Sequence, residues 1–479
     1  MRMKALAPVL FLALTFLLMY PLPLHMSTHV PGSSLWAFDE YTFIWNIWWF
    51  RRSLLELHTS PLFTDYIFFP VGTKLVLYTY NIFNCALALP LTFFLPLPLV
   101  SNLVLIFTWV VSGWGAYLLA LYLLRRNGLN EYARMGAFLA GAFYAFASNR
   151  HVYAALGHYD MVSTQWLPFY VLFFIKTVEE PGRKNPILAG IFATLAMLCE
   201  MIFGTFLFIF SVFYLLLRRK ELFRQALLPR LLILVLVVLL TYWPMLLPIM
   251  REFIHGGYEL KGWGDALKLS TDLLGFFTPA SFNPWLGTGW EKELKAVLEG
   301  TSRFSDVNTV FLGYFSLVLA AMALIKRADR AVWTWAAQSL LFASFCLGPV
   351  LQVNGRYVFD MDGIPVTIPM PFALLHYIPV FRANRVPNRF SVILTLCLAV
   401  LIAFGSQRFL SLMARRFSAP FSGVVGGVLA TLILAEHLAI PMPLTDARIP
   451  APLLLLAQED GDFAILQLPL GLSLIHISE

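Results

Sequence analysis

The chain has 479 residues, of which 59% are hydrophobic and only 13% charged. Soluble domains carry about 25% charged residues, so this composition excludes a soluble globular protein and predicts an all-α polytopic membrane protein with about 11 transmembrane helices. The formal charge of +7 does not mark a nucleic-acid binder, because the charges sort by membrane side instead of gathering in one patch.

Arg2 and Lys4 precede an apolar run, Ala5 to Leu24, long enough to cross a hydrocarbon core of ~30 Å. No small-x-small cleavage pattern follows it, so the run is predicted to be an uncleaved first span with a cytoplasmic N-terminus. A long first outer loop, 26–100, comes next. Within it, HVPGSSLWAFDEYTFIWNIWWF at 29–50 sets the adjacent carboxylates Asp39 and Glu40 among eight aromatics. A charged pair at a membrane boundary has a desolvation cost, which makes it a candidate site. The tryptophans Trp36, Trp45, Trp48 and Trp49 suit the headgroup level, and Glu40 to Leu57 is predicted to form a helix lying in that interface. Arg51 to Tyr80 is polar and punctuated by Pro61, Pro70 and Gly72, as a surface loop would be. Asn81 to Val100 is apolar but broken by Pro90, Pro96 and Pro98. Counting it as a span would put Arg125, Arg126 and Arg134 outside, so it is expected to be re-entrant or interfacial.

Further spans are predicted over Asn102 to Leu124, Met135 to Ser148, Gln165 to Ile175, and Leu231 to Met250. Pro186 to Leu217 lies between basic inner loops and must go out and return as a hairpin, with Glu200 near its outer turn. Thr309 to Ile325, Ala331 to Val350, Phe390 to Phe404 and Phe421 to Ile440 complete the set. Outer loops then cover 149–164, 251–308 and 351–389, and the C-terminus is extracytoplasmic. In this arrangement the inner segments hold 19 of the 34 Lys and Arg but only 5 of the 27 Asp and Glu. The four cysteines, Cys85, Cys199, Cys346 and Cys397, stand singly with no CxxC pair, which argues against a disulfide framework and a zinc site. A transmembrane domain over 1–440 is expected to give way to an outer domain that begins at 441–472, where DFAILQLPL alternates like a buried strand. The closing SLIHISE, 473–479, reads as the translated remnant of a sequencing adapter, with the natural protein continuing beyond Gly471.

DEYTF at 39–43, an acidic pair opening the first outer loop after the first helix, resembles the corresponding segment of protein mannosyltransferases and lipid A aminoarabinose transferases. GHYDMVSTQWLPFY at 157–170, VFLGYF at 310–315 and RVPNRF at 385–390 are similar to a group of prokaryotic multispan proteins related to them. The resemblance implies the GT-C fold class of membrane glycosyltransferases: a plasma-membrane enzyme of the cell envelope that moves a sugar from a polyprenyl-phosphate carrier to an extracytoplasmic acceptor. In such an inverting transfer a carboxylate takes the acceptor's proton while the anomeric carbon is attacked opposite the departing phosphate. Asp39 is the expected base, and the family motif makes Glu40 its structural or acceptor-side partner. Asp160 and His158, in the next outer loop, are expected to converge with them.

A leaving phosphate needs cations, and Arg382, Arg385 and Arg389 are the candidates, although snorkelling interface anchors explain them equally well. Glu200 is either a hydrated turn residue or a group facing the lipid carrier. Asp360-Met361-Asp362-Gly363 looks like the DxD of metal-dependent sugar transferases, but its flanks predict a hairpin turn and not a metal site. His151, His255 and His376 lack metal-ligand spacing and are expected to be hydrogen-bonded loop histidines. No residue pattern fixes a cofactor, a divalent metal, the sugar or the acceptor. Two rival classes remain: a transporter or flippase of lipid-linked sugars, and a non-catalytic membrane assembly protein. Transporters pair their halves and hold charges near the bilayer midplane, whereas these acids gather at one surface.

Overall fold

The computed structural model describes residues 2–33, 39–222, 227–255, 266–287, 289, 309–325, 329–378, 381, 384–417 and 419–459. Arg382, residues 256–265, 288 and 290–308 of the expected outer loop 251–308, and residues 460–479 with the expected strand and adapter remnant lie outside the described residues. The described part is mostly helical. In chain order it comprises α1 (Arg2–Leu18), α2 (Leu22–His25), α3 (Asp39–Arg51), α4 (Ile82–Ala88), α5 (Leu97–Arg126), α6 (Ala133–Phe146), α7 (Ser148–Ala155) and α8 (Tyr159–Val162). There follow α9 (Leu167–Glu179), α10 (Lys184–Cys199), α11 (Ile202–Leu217), α12 (Arg219–Leu222) and α13 (Leu227–His255). The last are α14 (Tyr314–Leu324), α15 (Arg330–Cys346), α16 (Ser391–Arg416), α17 (Ala419–Glu436) and α18 (Ala451–Leu456).

A helix lies over every predicted crossing, and Glu200 sits in the turn between α10 and α11. Among the described residues three helices are long and apolar enough to cross a membrane by themselves: α5, α13, and α16 together with the 3-10 turn Pro387–Phe390 before it. Leu6–Leu18, Lys184–Cys199, Ile202–Leu217, Tyr314–Leu324 and Phe421–Glu436 are shorter apolar helices. Residues 81–100 form no continuous helix. Asn81 caps α4 by accepting from the Asn84 amide, a 3-10 turn covers Leu89–Phe93, and α5 begins only after Pro96.

The helix α16 is the axis of the bundle. Every residue from Ser391 to Gln407 is buried, against α6, α14 and α15. Small residues allow the close approach that substitutes for a hydrophobic driving force in lipid: a Cβ on Gly405 would collide with the Leu319 carbonyl of α14. The comparably apolar α13 is the opposite case. Only Leu227, Arg230, Tyr242 and Ile249 of its described side chains are buried, so its surface faces outward along most of its length.

Short strands tie distant segments at the ends of these helices. Here β1 (His29–Pro31) pairs antiparallel with β6 (Leu444–Asp446), His29 opposite Asp446. The residues that the sequence assigns to the start of an outer domain therefore lie against the first outer loop. The pair β2 (Phe63–Thr64) and β3 (Thr73–Lys74) closes part of that loop. In the hairpin β4 (Phe359–Met361) and β5 (Ile364–Val366), Asp362 and Gly363 form the two-residue turn, both with positive φ (56° and 84°), as a type I′ turn requires. The Gly363 amide donates to Asp360 Oδ1 at 2.8 Å. The DxD-like stretch is thus turn chemistry.

Candidate active site

The site is assembled by the turn that ends α7. Gly157 occupies the left-handed region at φ +76°, and it follows the last helical residues as a glycine stop does. The His158 amide bonds back to the Tyr153 carbonyl at 2.9 Å and the Gly157 amide to that of Ala154 at 3.1 Å, the paired bonds of a Schellman motif. The His158 ring stacks on Tyr153, centroids 6.1 Å apart, which fixes its direction. The following turn, α8, carries Asp160 and is pinned from four sides. Arg150 donates to the Val162 carbonyl through Nε and Nη2 (3.1 and 2.8 Å), Asn81 and Asn84 donate to Ser163 Oγ, and the Tyr159 hydroxyl donates to the Pro31 carbonyl at 2.5 Å. Arg150 is buried and lies over the Trp109 ring at 4.9 Å.

Asp39 opens α3, where a carboxylate suits the positive end of the helix dipole. Its Oδ2 lies 2.9 Å from His158 Nε2, and both side chains stay partly accessible, at 32% and 23%. Glu40, one residue on, faces the other way and is fully buried. Thr445 of β6 donates to its Oε1 at 2.7 Å. The carboxylate is gripped between two glycines: a Cβ on Gly32 would stand 2.5 Å from Oε1, and one on Gly157 2.5 Å from Oε2. Burial pushes Glu40 above the ordinary carboxylate range, against the Thr445 hydrogen bond that favours the charged form. The adjacent acids therefore divide into a reachable one and a locked one.

A second acidic group lies behind them. Asp160 is buried, with Oδ1 accepting from the Met161 amide at 2.8 Å, and its carboxylate is hydrogen-bonded to the Glu200 carboxyl. Burial first, and the Asp160 charge second, push Glu200 up to about 8, with Arg389 opposing them. Near neutral pH Glu200 therefore keeps a proton and can donate it in the hydrogen bond to Asp160. The charges of Asp160, Glu200 and Asp39 all act on Arg389, so the two outer loops, the α10–α11 turn and the start of the axial helix meet at one place.

Arg389 faces this acidic group, Arg385 is exposed, and Arg382 lies outside the described residues. His151 differs from expectation. It is a helix residue in α7, buried between Trp109 and Phe146, with neither ring nitrogen hydrogen-bonded among the described residues, and burial followed by the Arg150 charge pulls it down to about 4. Among the described residues no group of three or more His, Cys, Asp or Glu side chains has metal-holding geometry. Nothing in the sequence points to Thr445, which is 405 residues from Glu40. Gly157 could have been found, since a glycine after a polar helical stretch is a standard helix stop.

No family model matches the sequence, and no curated protein matches it significantly. Solved structures do. Arabinofuranosyltransferase AftD from Mycobacteria superposes with a TM-score of 0.51 at 15% identity, over 92% of this chain and 26% of that one. The Archaeoglobus fulgidus oligosaccharyltransferase in its apo form gives 0.50 at 13% identity, over 93% of this chain and 56% of that one. The same enzyme tethered to an acceptor peptide gives 0.50 at 14%, over 92% and 55%. The chain thus has the fold of GT-C membrane glycosyltransferases, with the apolar helices of a membrane protein, and it spans about a quarter to a half of the chains it matches. At such identities the likeness speaks for the fold, and the chemistry has to be argued from the site.

Proposed function

We propose that this protein is a membrane glycosyltransferase that moves a sugar from a polyprenyl-phosphate-linked donor to an extracytoplasmic acceptor, with Asp39 as general base. The observation that carries this reading is the contrast at α3: within a GT-C fold, one acid of the pair is accessible and held by a histidine, while its neighbour is sealed. An accessible carboxylate fixed at 2.9 Å by His158 is aimed without being buried. In the transfer, the acceptor's O–H or N–H gives its proton to Asp39 as the acceptor atom bonds the anomeric carbon. The bond from that carbon to the phosphate oxygen breaks, and polyprenyl phosphate leaves with the electron pair. His158 positions Asp39, and Glu40 fixes the start of α3. Asp160, Glu200 and Arg389 form the floor, the first buried and the other two part-exposed, and the exposed Arg385 is the cation for the leaving phosphate. The distribution of basic residues supports a cytoplasmic N-terminus and an extracytoplasmic site.

The test is release of polyprenyl phosphate from a decaprenyl-phosphate-linked pentose or hexose by the full-length protein in proteoliposomes. Wild type is expected to release it in the presence of acceptor, and Asp39→Asn to stop release while folding normally. Release that persists at the wild-type rate in Asp39→Asn removes the assignment.

A further inference from the structure

At the end of the bundle opposite Asp39, a cavity of about 820 Å³ opens between α1, α5, α6 and α17. That is the size range of small-ligand sites, and it belongs to no part of the site above. Two guanidinium groups line it, Arg125 from the last turn of α5 and Arg134 from the start of α6. Both are exposed, and among the described residues neither has an ion pair with a carboxylate. Their neighbour Arg126 is committed differently: it is paired with Glu179 and donates to the Tyr122 hydroxyl. The loop joining the two helices, RRNGLNEYAR, contains one carboxylate, Glu131, whose residue is exposed.

Deeper in, the cavity reaches Tyr117. This residue is 1% exposed, yet its hydroxyl has no hydrogen-bond partner among the described residues, and the charges of Arg125 and Arg134 both act on it. A buried hydroxyl without a partner costs stability unless something fills the role. Eight residues of helix, about 12 Å, separate Tyr117 from Arg125, so the space is long as well as wide. Its far wall is apolar and small, with Leu10 of α1 exposed on one side and Gly427 of α17 on the other, where an added Cβ meets nothing within 4 Å.

We propose that this cavity is a binding site for a phosphate-bearing anionic membrane lipid at the basic face of the bundle. Its headgroup phosphate lies between Arg125 and Arg134, a glycerol or ester oxygen meets the Tyr117 hydroxyl, and an acyl chain runs along Gly427 and Leu10. The two arginines give the negative charge its complement, and the apolar lining that α1 and α17 supply, Leu6, Leu10, Gly427 and Ala430, distinguishes a lipid from a free phosphate.

The test is native mass spectrometry of the full-length protein in detergent, titrated separately with palmitoyl-oleoyl-phosphatidylglycerol, palmitoyl-oleoyl-phosphatidylcholine and glycerol 1-phosphate. Phosphatidylglycerol is expected to bind about tenfold more tightly than phosphatidylcholine, which corresponds to about 1.4 kcal/mol. Glycerol 1-phosphate is expected neither to bind measurably nor to displace it. The double variant Arg125→Gln/Arg134→Gln should lose that preference, and Gly427→Leu should lower the binding of both lipids by filling the apolar side of the cavity with the charges intact. Polyprenyl phosphate release should be unchanged in either variant. Equal affinity for the two lipids, retention of the preference in the double variant, or displacement by glycerol 1-phosphate overturns the proposal. Should the double variant not fold, unaltered phosphatidylglycerol binding by Gly427→Leu overturns it as well.

Discussion

At the end of the bundle that carries Asp39, the ionisable side chains meet partners inside the protein: Asp39 meets His158, Glu40 accepts from the Thr445 hydroxyl, and Asp160 meets Glu200 beside Arg389. At the end that carries Arg125 and Arg134, the guanidinium groups stand exposed beside a cavity with no carboxylate paired to them among the described residues. Charge that is internally satisfied is being held in a fixed geometry, which chemistry requires. Charge left open waits for something outside the protein. Substitutions at the first end should therefore change a rate, and substitutions at the second should change only what binds there.

The largest separation between the two is expected from Asp39→Asn set against Arg125→Gln. Losing a general base costs about 10²–10⁴ in rate, so release of polyprenyl phosphate should fall by that order in the first variant. It should stay within twofold of wild type in the second, while both keep the thermal midpoint of the parent. If Arg125→Gln were to slow release as much as Asp39→Asn, the division of labour between the ends would be wrong. Next in size is Gly157→Ala. It places a methyl group 2.5 Å from Glu40 Oε2 in a backbone region that alanine avoids. We expect a destabilisation of about 1–3 kcal/mol, and a loss of rate larger than stability alone explains, because the same turn aims His158 at Asp39. A melt combined with release assays well below the midpoint separates the two effects.

Much of this was legible in the sequence and some was not. The helices over the expected crossings followed from hydropathy, because lipid forces each backbone polar group into a helix. Asp39, Glu40, His158, Asp160 and Glu200 could be picked out as polar groups at one surface. Hydropathy could not separate α13 from α16: both are strongly apolar, yet one is bare and the other is the axis, since lipid and protein are equally apolar neighbours. Nor could it tell that Arg389 would turn towards carboxylates while Arg385 stayed exposed, or that Glu40 would be sealed by β6. Those outcomes depend on contacts between segments hundreds of residues apart, and residue types carry no record of them.

A smaller effect should appear in the pH dependence. Glu200 has an ordinary value of 4.5 and is held at about 8 in the folded protein. Between those limits the folded state binds more protons than the unfolded one, so this group's contribution is fully present below about 4.5 and is lost as pH rises through about 8. The thermal midpoint of the wild type should accordingly fall between pH 5 and 9 more steeply than that of Glu200→Gln, which keeps a neutral hydrogen-bond donor for Asp160. Parallel curves would mean that Glu200 is not held above its ordinary value.

The smallest effect belongs to Thr445→Val, which keeps the shape of β6 and removes the side-chain donor bonded to Glu40 Oε1. A lost hydrogen bond to a buried carboxyl is worth on the order of 1 kcal/mol in stability, so in a chain of this length the thermal midpoint should drop by about one degree. Glu40 is already raised by burial and loses the bond that favours its charge. It should therefore become easier to protonate, and the penalty should shrink as the pH is lowered. Polyprenyl phosphate release at saturating acceptor should be nearly preserved, because Asp39 and His158 do not touch Thr445. A Thr445→Val protein that is stable but inactive would show that Glu40 takes part in the transfer and does more than fix the start of α3.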